Sequence, residues 1–113
     1  MKLRLSGDPV WVTKVEPEQL AKEDDCDAII QFHSCGIKIR DDAEGAGEAR
    51  ILCHEIVHHR LAWSGMSAIL KSHDDSGQLE EAMCDCLGSM LYEVVGDNPE
   101  LVAKLEKIRN DGR

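Results

Sequence analysis

Aromatic side chains are scarce in this chain of 113 residues: two Trp, one Tyr and one Phe, 4% in all. A core must therefore be assembled from Leu, Ile, Val, Met and Ala rather than from packed rings. Positive charge is also short, with 13 Lys and Arg against 22 Asp and Glu and a formal net charge of −9. That balance argues against a nucleic-acid backbone or an anionic membrane as the main partner. No apolar run approaches the roughly 20 residues needed to span a bilayer. The opening Met1-Lys2-Leu3-Arg4-Leu5-Ser6 has two basic residues but no apolar stretch behind them, unlike a signal peptide. The expected location is the cytoplasm. Cysteine lacks any Cys-x-x-Cys pairing: Cys26, Cys35, Cys53, Cys84 and Cys86 are odd in number and do not read as a disulfide framework. They read instead as reduced, buried small hydrophobes, with a thiolate metal ligand at Cys53 or Cys84 as the sharper alternative.

What is present is an ordinary globular balance, 42% hydrophobic and 31% charged, in a length that suits one domain. The first third reads as strands. Val10 to Val15 is rich in β-branched residues, and Ala28 to His33 and Gly36 to Arg40 flank Ser34-Cys35, a plausible hairpin turn. Ile37 and Ile39 alternate with Lys38 and Arg40, the period of a half-buried strand. Between the first strand and the hairpin lies the acidic stretch Glu16 to Asp27, where Pro17 near its start and the run Glu18 to Glu23 favour a short helix.

After a turn-rich connection, Asp41 to Gly47, the segment Glu48 to Trp63 places Ala49, Leu52, Cys53, Ile56 and Val57 at amphipathic helical spacing. A polar loop, Lys71 to Gly77, leads to a second helix from about Gln78 to Val95. Its apolar stripe is Leu79, Ala82, Met83, Cys86, Leu87, Met90, Leu91 and Val94. Asn98-Pro99 reads as a cap followed by proline at the first helical position, opening a last helix with Leu101, Val102, Leu105 and Ile108 on one side. Strands first and helices afterwards predict an α+β domain, with the helices packed on a small antiparallel sheet.

His54-Glu55-Ile56-Val57-His58 is an HExxH motif inside a segment that reads as a helix on other grounds. A spacing of four residues at about 100° each brings both imidazoles to one face, where they can reach one ion. Glu55 lies beside that face, placed to touch a metal-bound water without ligating the metal. Zinc lowers the pKa of such a water to about 7, and Glu55 as general base would take its proton and pass it to a leaving amine. A pair of surface histidines would leave the intervening Glu55 unexplained.

A catalytic zinc keeps three protein ligands and one open position, so a third ligand is needed. The extension with Gly three and His six residues beyond the second histidine is excluded, because Leu61 and Ser64 stand there. A Glu from a following helix is the other solution, and Glu81 supplies it, with Asp85 one turn on to accept the other N–H of a ligating His. If the apolar stripe of that helix faces inward, Glu81 points almost away from it and Glu80 lies closer, so Glu80 stays open as the alternative. Cys84 and Gly88 share a flank with Glu81 and are small enough for close approach to the metal helix.

The run Ile51-Leu52-Cys53-His54-Glu55-Ile56-Val57-His58, followed by Glu81-x-x-Cys84-Asp85-x-Leu87-Gly88 and Asp97-Asn98-Pro99, resembles small phage-encoded metallopeptidase-like proteins. These are similar in turn to the ImmA/IrrE group of gluzincins. The resemblance covers roughly residues 28 to 102. It implies a single minimal zincin-like domain, a Zn2+ ion held by His54, His58 and Glu81, Glu55 as general base, and cleavage of a specific regulatory protein within a bacterial cell.

Other candidates carry weaker signals. His59 is about 100° around the helix from His58 and reads as exposed or supporting. His73 sits in a polar loop, His33 at a strand end, and Tyr92, the lone tyrosine, reads as packing between helices rather than stabilising an oxyanion. Three function classes follow. The first is a zinc endopeptidase holding an extended protein substrate along a sheet edge. The second is a non-catalytic zinc-binding phage adaptor or regulator in which the metal ties helices together. The third is a redox or metal sensor using Cys53, Cys84 and Cys86. Glu55 separates the first from the second, being needless in a purely structural site.

Overall fold

The computed structural model describes the backbone of residues 1–23, 28–31 and 36–112, and side chains at 1–20 and 36–112. The order is β1 (Lys2–Leu5), β2 (Asp8–Val15), α1 (Pro17–Glu23), β3 (Ala28–Gln31), β4 (Gly36–Arg40), α2 (Gly45–Trp63), α3 (Met66–His73), α4 (Gln78–Asp97) and α5 (Pro99–Asp111). The fold is α+β, as expected. The Ser34-Cys35 turn, His33 and Cys26 lie outside the described residues.

The sheet has the order β1-β2-β4-β3. β1 is an addition to the expected strands. Its Leu3 and Leu5 alternate with Lys2 and Arg4, and it joins β2 through Ser6-Gly7, both at positive φ (53° and 87°). Two positive φ values in a two-residue loop match the twist of a hairpin, and Gly7 tolerates its value at no steric cost. The sheet is also mixed rather than wholly antiparallel: β2 pairs with β4 in parallel, while β1–β2 and β3–β4 are antiparallel. The reason lies in strand order. The α1 connection carries the chain past one strand position, and β4 returns from β3 into the gap beside β2. β4 is the strand that gains from a central place, since Ile37 and Ile39 are fully buried in it.

Helix α2 starts three residues earlier than its apolar pattern indicates and lies between two small cores. On its sheet side, Ile51 and Leu52 pack against Val10, Ile37 and Ile39, with Leu3, Leu5 and Val12 around them. On its other side, Val57 and Leu61 meet Leu70 of α3 and Met83 and Cys84 of α4. Residues half-buried on nearly every side of α2 follow from this position. The Lys71–Gly77 loop is shorter than expected, because α3 continues to His73. Asn98 occupies the position before α5 with Pro99 at its first turn, but its side chain makes no capping bond there, its amide donating instead to the carbonyl of Val94 at the end of α4 (3.1 Å).

Candidate metal centre

α2 and α4 cross with very little between them. A Cβ added at Gly88 would stand 2.9 Å from the backbone nitrogen of His54 and 3.1 Å from the carbonyl carbon of Cys53. Only glycine permits that approach, and with it the polar first half of α4 comes over the imidazoles of α2. The inward face of α4 therefore takes in only part of its apolar stripe, with Met83 against the core. Cys84 and Gly88 are its buried residues, Glu80 is half-buried, and Leu79, Met90 and Val94 are exposed.

His54 and His58, one turn apart, turn their Nε2 atoms toward each other at 3.1 Å. Glu81 bridges both: its Oε1 is 2.7 Å from His58 Nε2 and its Oε2 is 3.1 Å from His54 Nε2. The outer nitrogens are each taken by a further carboxylate. His54 Nδ1 lies 2.7 Å from Asp85 Oδ1, and His58 Nδ1 lies 2.7 Å from Glu80 Oε2. An ionised carboxylate only accepts, so each Nδ1 must carry and donate its proton. That leaves both Nε2 lone pairs and the Glu81 carboxylate converging on one point. Such a convergence of acceptors requires a shared cation, whether protons or a metal ion.

The set fits a divalent metal. Ligand bonds of 2.0–2.1 Å in a tetrahedron put ligand atoms about 3.3 Å apart, close to the spacings here. Glu81 faces the Nε2 pair, whereas Glu80, like Asp85, lies behind an imidazole at its Nδ1. The loop before α4 holds these carboxylates in place. Asp74 accepts hydrogen bonds from the Ser76 hydroxyl (2.6 Å), the Ser76 backbone N–H (3.1 Å) and the Leu79 backbone N–H (3.0 Å). These bonds hold the Asp74 carboxyl below the usual carboxylate range.

The cluster has a wet side and a dry side. The Glu81 and Asp85 side chains are 59% and 75% exposed, whereas Glu55 keeps 7% of its surface and Cys84 none. Burial pushes the Glu55 carboxyl up, partly offset by attraction to His58 and His54. Cys84 belongs to the same neighbourhood, with its sulfur and one nitrogen of each imidazole all within 4.8 Å of one another. Its thiol is pushed up to about 12, first by burial and then by the charges of Glu80, Glu81, Glu55 and Asp85. Glu81 lies nearest the two Nε2 atoms, at 2.7 and 3.1 Å, and the Cys84 sulfur stands within reach of the same point.

The remaining candidates are placed elsewhere. His59 is half-buried, and desolvation holds its imidazole below the usual range. His73 ends α3 and is exposed. The Arg50 guanidinium of α2 sits 5.4 Å from the Tyr92 ring centre, a packing contact between α2 and α4. Cys86 is exposed on α4, away from its buried face. The sequence reading named Glu80 as the alternative ligand and did not foresee its contact with His58 Nδ1, although the signal was available in its spacing of one turn from Cys84. No helix among the described residues is long and apolar enough to cross a membrane. No protein-family model, curated protein or solved structure matches this chain.

Proposed function

We propose that this chain is a zinc-dependent metallopeptidase of the gluzincin type, with His54, His58 and Glu81 as ligands and Glu55 as general base. One observation carries the reading: two imidazole Nε2 atoms and both oxygens of Glu81 converge within 3.1 Å, each imidazole backed by its own carboxylate. Bound zinc would supply Lewis acidity, bringing a water molecule's pKa to about 7 and polarising a substrate carbonyl. Glu55, held dry on the floor of the site, accepts the proton of the attacking water and returns it to the leaving amine. Burial raises its proton affinity, which favours its action as a base. Asp85 and Glu80 hold the imidazoles in the tautomer that presents Nε2. An extended peptide would add to the edge strand β3, which lies beside α2. The resemblance described above makes a specific regulatory protein inside a bacterial cell the fitting substrate.

The Cys84 sulfur supports a second reading, a non-catalytic adaptor or regulator. Were Cys84 to join His54, His58 and Glu81, four protein ligands would close the site and the metal would only brace α2 against α4. Both readings are tested together by zinc content and by cleavage of a degenerate peptide library, read by mass spectrometry. The peptidase reading expects about one zinc per chain, retained in Glu55→Gln and Cys84→Ser. Cleavage should fall roughly 10²- to 10⁴-fold in Glu55→Gln alone. Loss of zinc in Cys84→Ser, or undiminished cleavage by Glu55→Gln, would transfer the case to the second reading or end it.

A further inference from the structure

We infer that the outward faces of α4 and α5 are a self-complementary interface, through which two copies of this chain associate with α5 of each seated on α4 of the other. Among the described residues, seven of the twelve exposed large hydrophobics lie on these two helices. On α4, the exposed Leu79, Cys86 and Met90 stand at the seven- and four-residue intervals of a packing seam, beside Met83, which is half-buried against the second core. On α5, Leu101, Leu105 and Ile108 stand at four- and three-residue intervals with 42%, 56% and 58% exposure, and the helix buries no residue at all. The radius of gyration is 15.1 Å against about 13 Å for a compact chain of this length.

Charge and chain length together name the occupant. α4 carries five acidic residues and no Lys or Arg. Glu80, Glu81 and Asp85 are engaged with the imidazoles, which leaves Glu93 and Asp97 along the outward seam. The α5 seam is edged instead by Lys104 and Arg109, each within about 75° of its centre at about 100° per residue. The two stripes are thus apolar in the middle and opposite in sign at the edge. They also match in size: α5 spans about 20 Å and the α4 stripe from Leu79 to Val94 about 22 Å.

A chain cannot bring its own halves together. Asn98 alone separates Asp97 from Pro99, and Val102 N–H donates to the Asn98 carbonyl (3.1 Å). Antiparallel return of one helix onto another takes a loop of about 2–5 residues. A second copy has no such restraint, and exchange of α5 in both directions satisfies both seams under one two-fold axis. The metal centre faces the opposite side of α4, so zinc binding does not depend on this contact.

The test is the oligomeric state of the full chain by sedimentation equilibrium, with far-UV circular dichroism checking that each variant folds. Wild type should approach twice the 12.6 kDa chain mass at micromolar concentration. Two reversed-charge chains, Glu93→Lys with Asp97→Lys and Lys104→Glu with Arg109→Glu, should each associate at least about tenfold more weakly than wild type. Mixed together they should regain a dimer, because every seam is then again opposite in sign. All four changes lie on exposed positions, so loss of fold is not expected to obscure the result. A monomeric wild type would overturn the proposal and leave the face to a different partner. A dimer indifferent to both charge reversals, or unequal chains that fail to pair, would overturn it as well.

Discussion

The two faces of α4 differ in a way that reverses the usual partition of a surface helix. Its inward face offers Glu80, Glu81, Cys84 and Gly88, while its outward face offers Leu79, Met90 and Val94. Hydrophobic burial alone would turn the helix around. Its observed orientation is set by close backbone approach at Gly88 and by three carboxylates that pair with two imidazoles. The lesson is that a polar cluster can dictate helix orientation when an apolar core is small, at the cost of leaving an oily stripe to be covered by something else. Helix α2 shows the complementary case, since it satisfies both demands by lying between the two cores and turning His54 and His58 toward the carboxylates of α4.

This contrast can be broken or sharpened by mutation. The largest effect is expected at Leu61, 7% exposed, where truncation to Ala should destabilise by about 2–5 kcal/mol. Met90→Ala, on the 54% exposed face, should leave unfolding of the monomer within about 0.5 kcal/mol, both read by urea denaturation at low protein concentration. Equal losses at the two positions would abolish the distinction between the faces. Gly88→Ala comes next: the new methyl meets the His54 backbone, so about 1–3 kcal/mol of stability should go, with weaker zinc binding as α4 shifts. Asp85→Asn should retain the fold and weaken zinc roughly 10- to 100-fold in a competitive chelator titration. An unchanged affinity would mean that the His54 Nδ1 contact does not orient the ligand.

The smallest effect concerns the loop that begins α4. The Asp74 carboxyl is held below its usual value by the Ser76 hydroxyl and the Ser76 and Leu79 N–H groups. A depressed native pKa contributes stability above the unfolded value near 3.8, and that contribution fades as pH falls through the lower native value. Asp74→Ala should therefore lower Tm slightly at neutral pH, and the difference from wild type should vanish in strong acid. A difference that persists there would assign the effect to packing rather than to the charged cap.

Much of this architecture was legible in local patterns. The Ile37 and Ile39 alternation marked the central strand, the HExxH helix was marked by its period, and the Asn98-Pro99 break was marked by residue type. What escaped depended on non-local choices. The parallel β2–β4 pair arises because β4 inserts beside β2, a decision about strand order that no single segment records. β1 did have a signal, the Ser6-Gly7 turn between alternating stretches, but four residues is little to read. The orientation of α4 was obscured because its apolar stripe is split: Leu79, Met90 and Val94 are exposed, whereas Met83, Leu87 and Leu91 are half-buried. Once Cys84 and Gly88 are taken as the contact line, Glu80 and Glu81 fall on either side of it, each within reach of a different nitrogen of His58.

The open site built by His54, His58 and Glu81 is the claim on which the functional account rests, and X-ray absorption at the zinc edge of the reconstituted full chain tests it most directly. The account predicts a first shell of nitrogen and oxygen scatterers alone at about 2.0–2.1 Å, including imidazole. A sulfur scatterer near 2.3 Å would place Cys84 in the shell and close the site, and failure to take up stoichiometric zinc would contradict the account altogether.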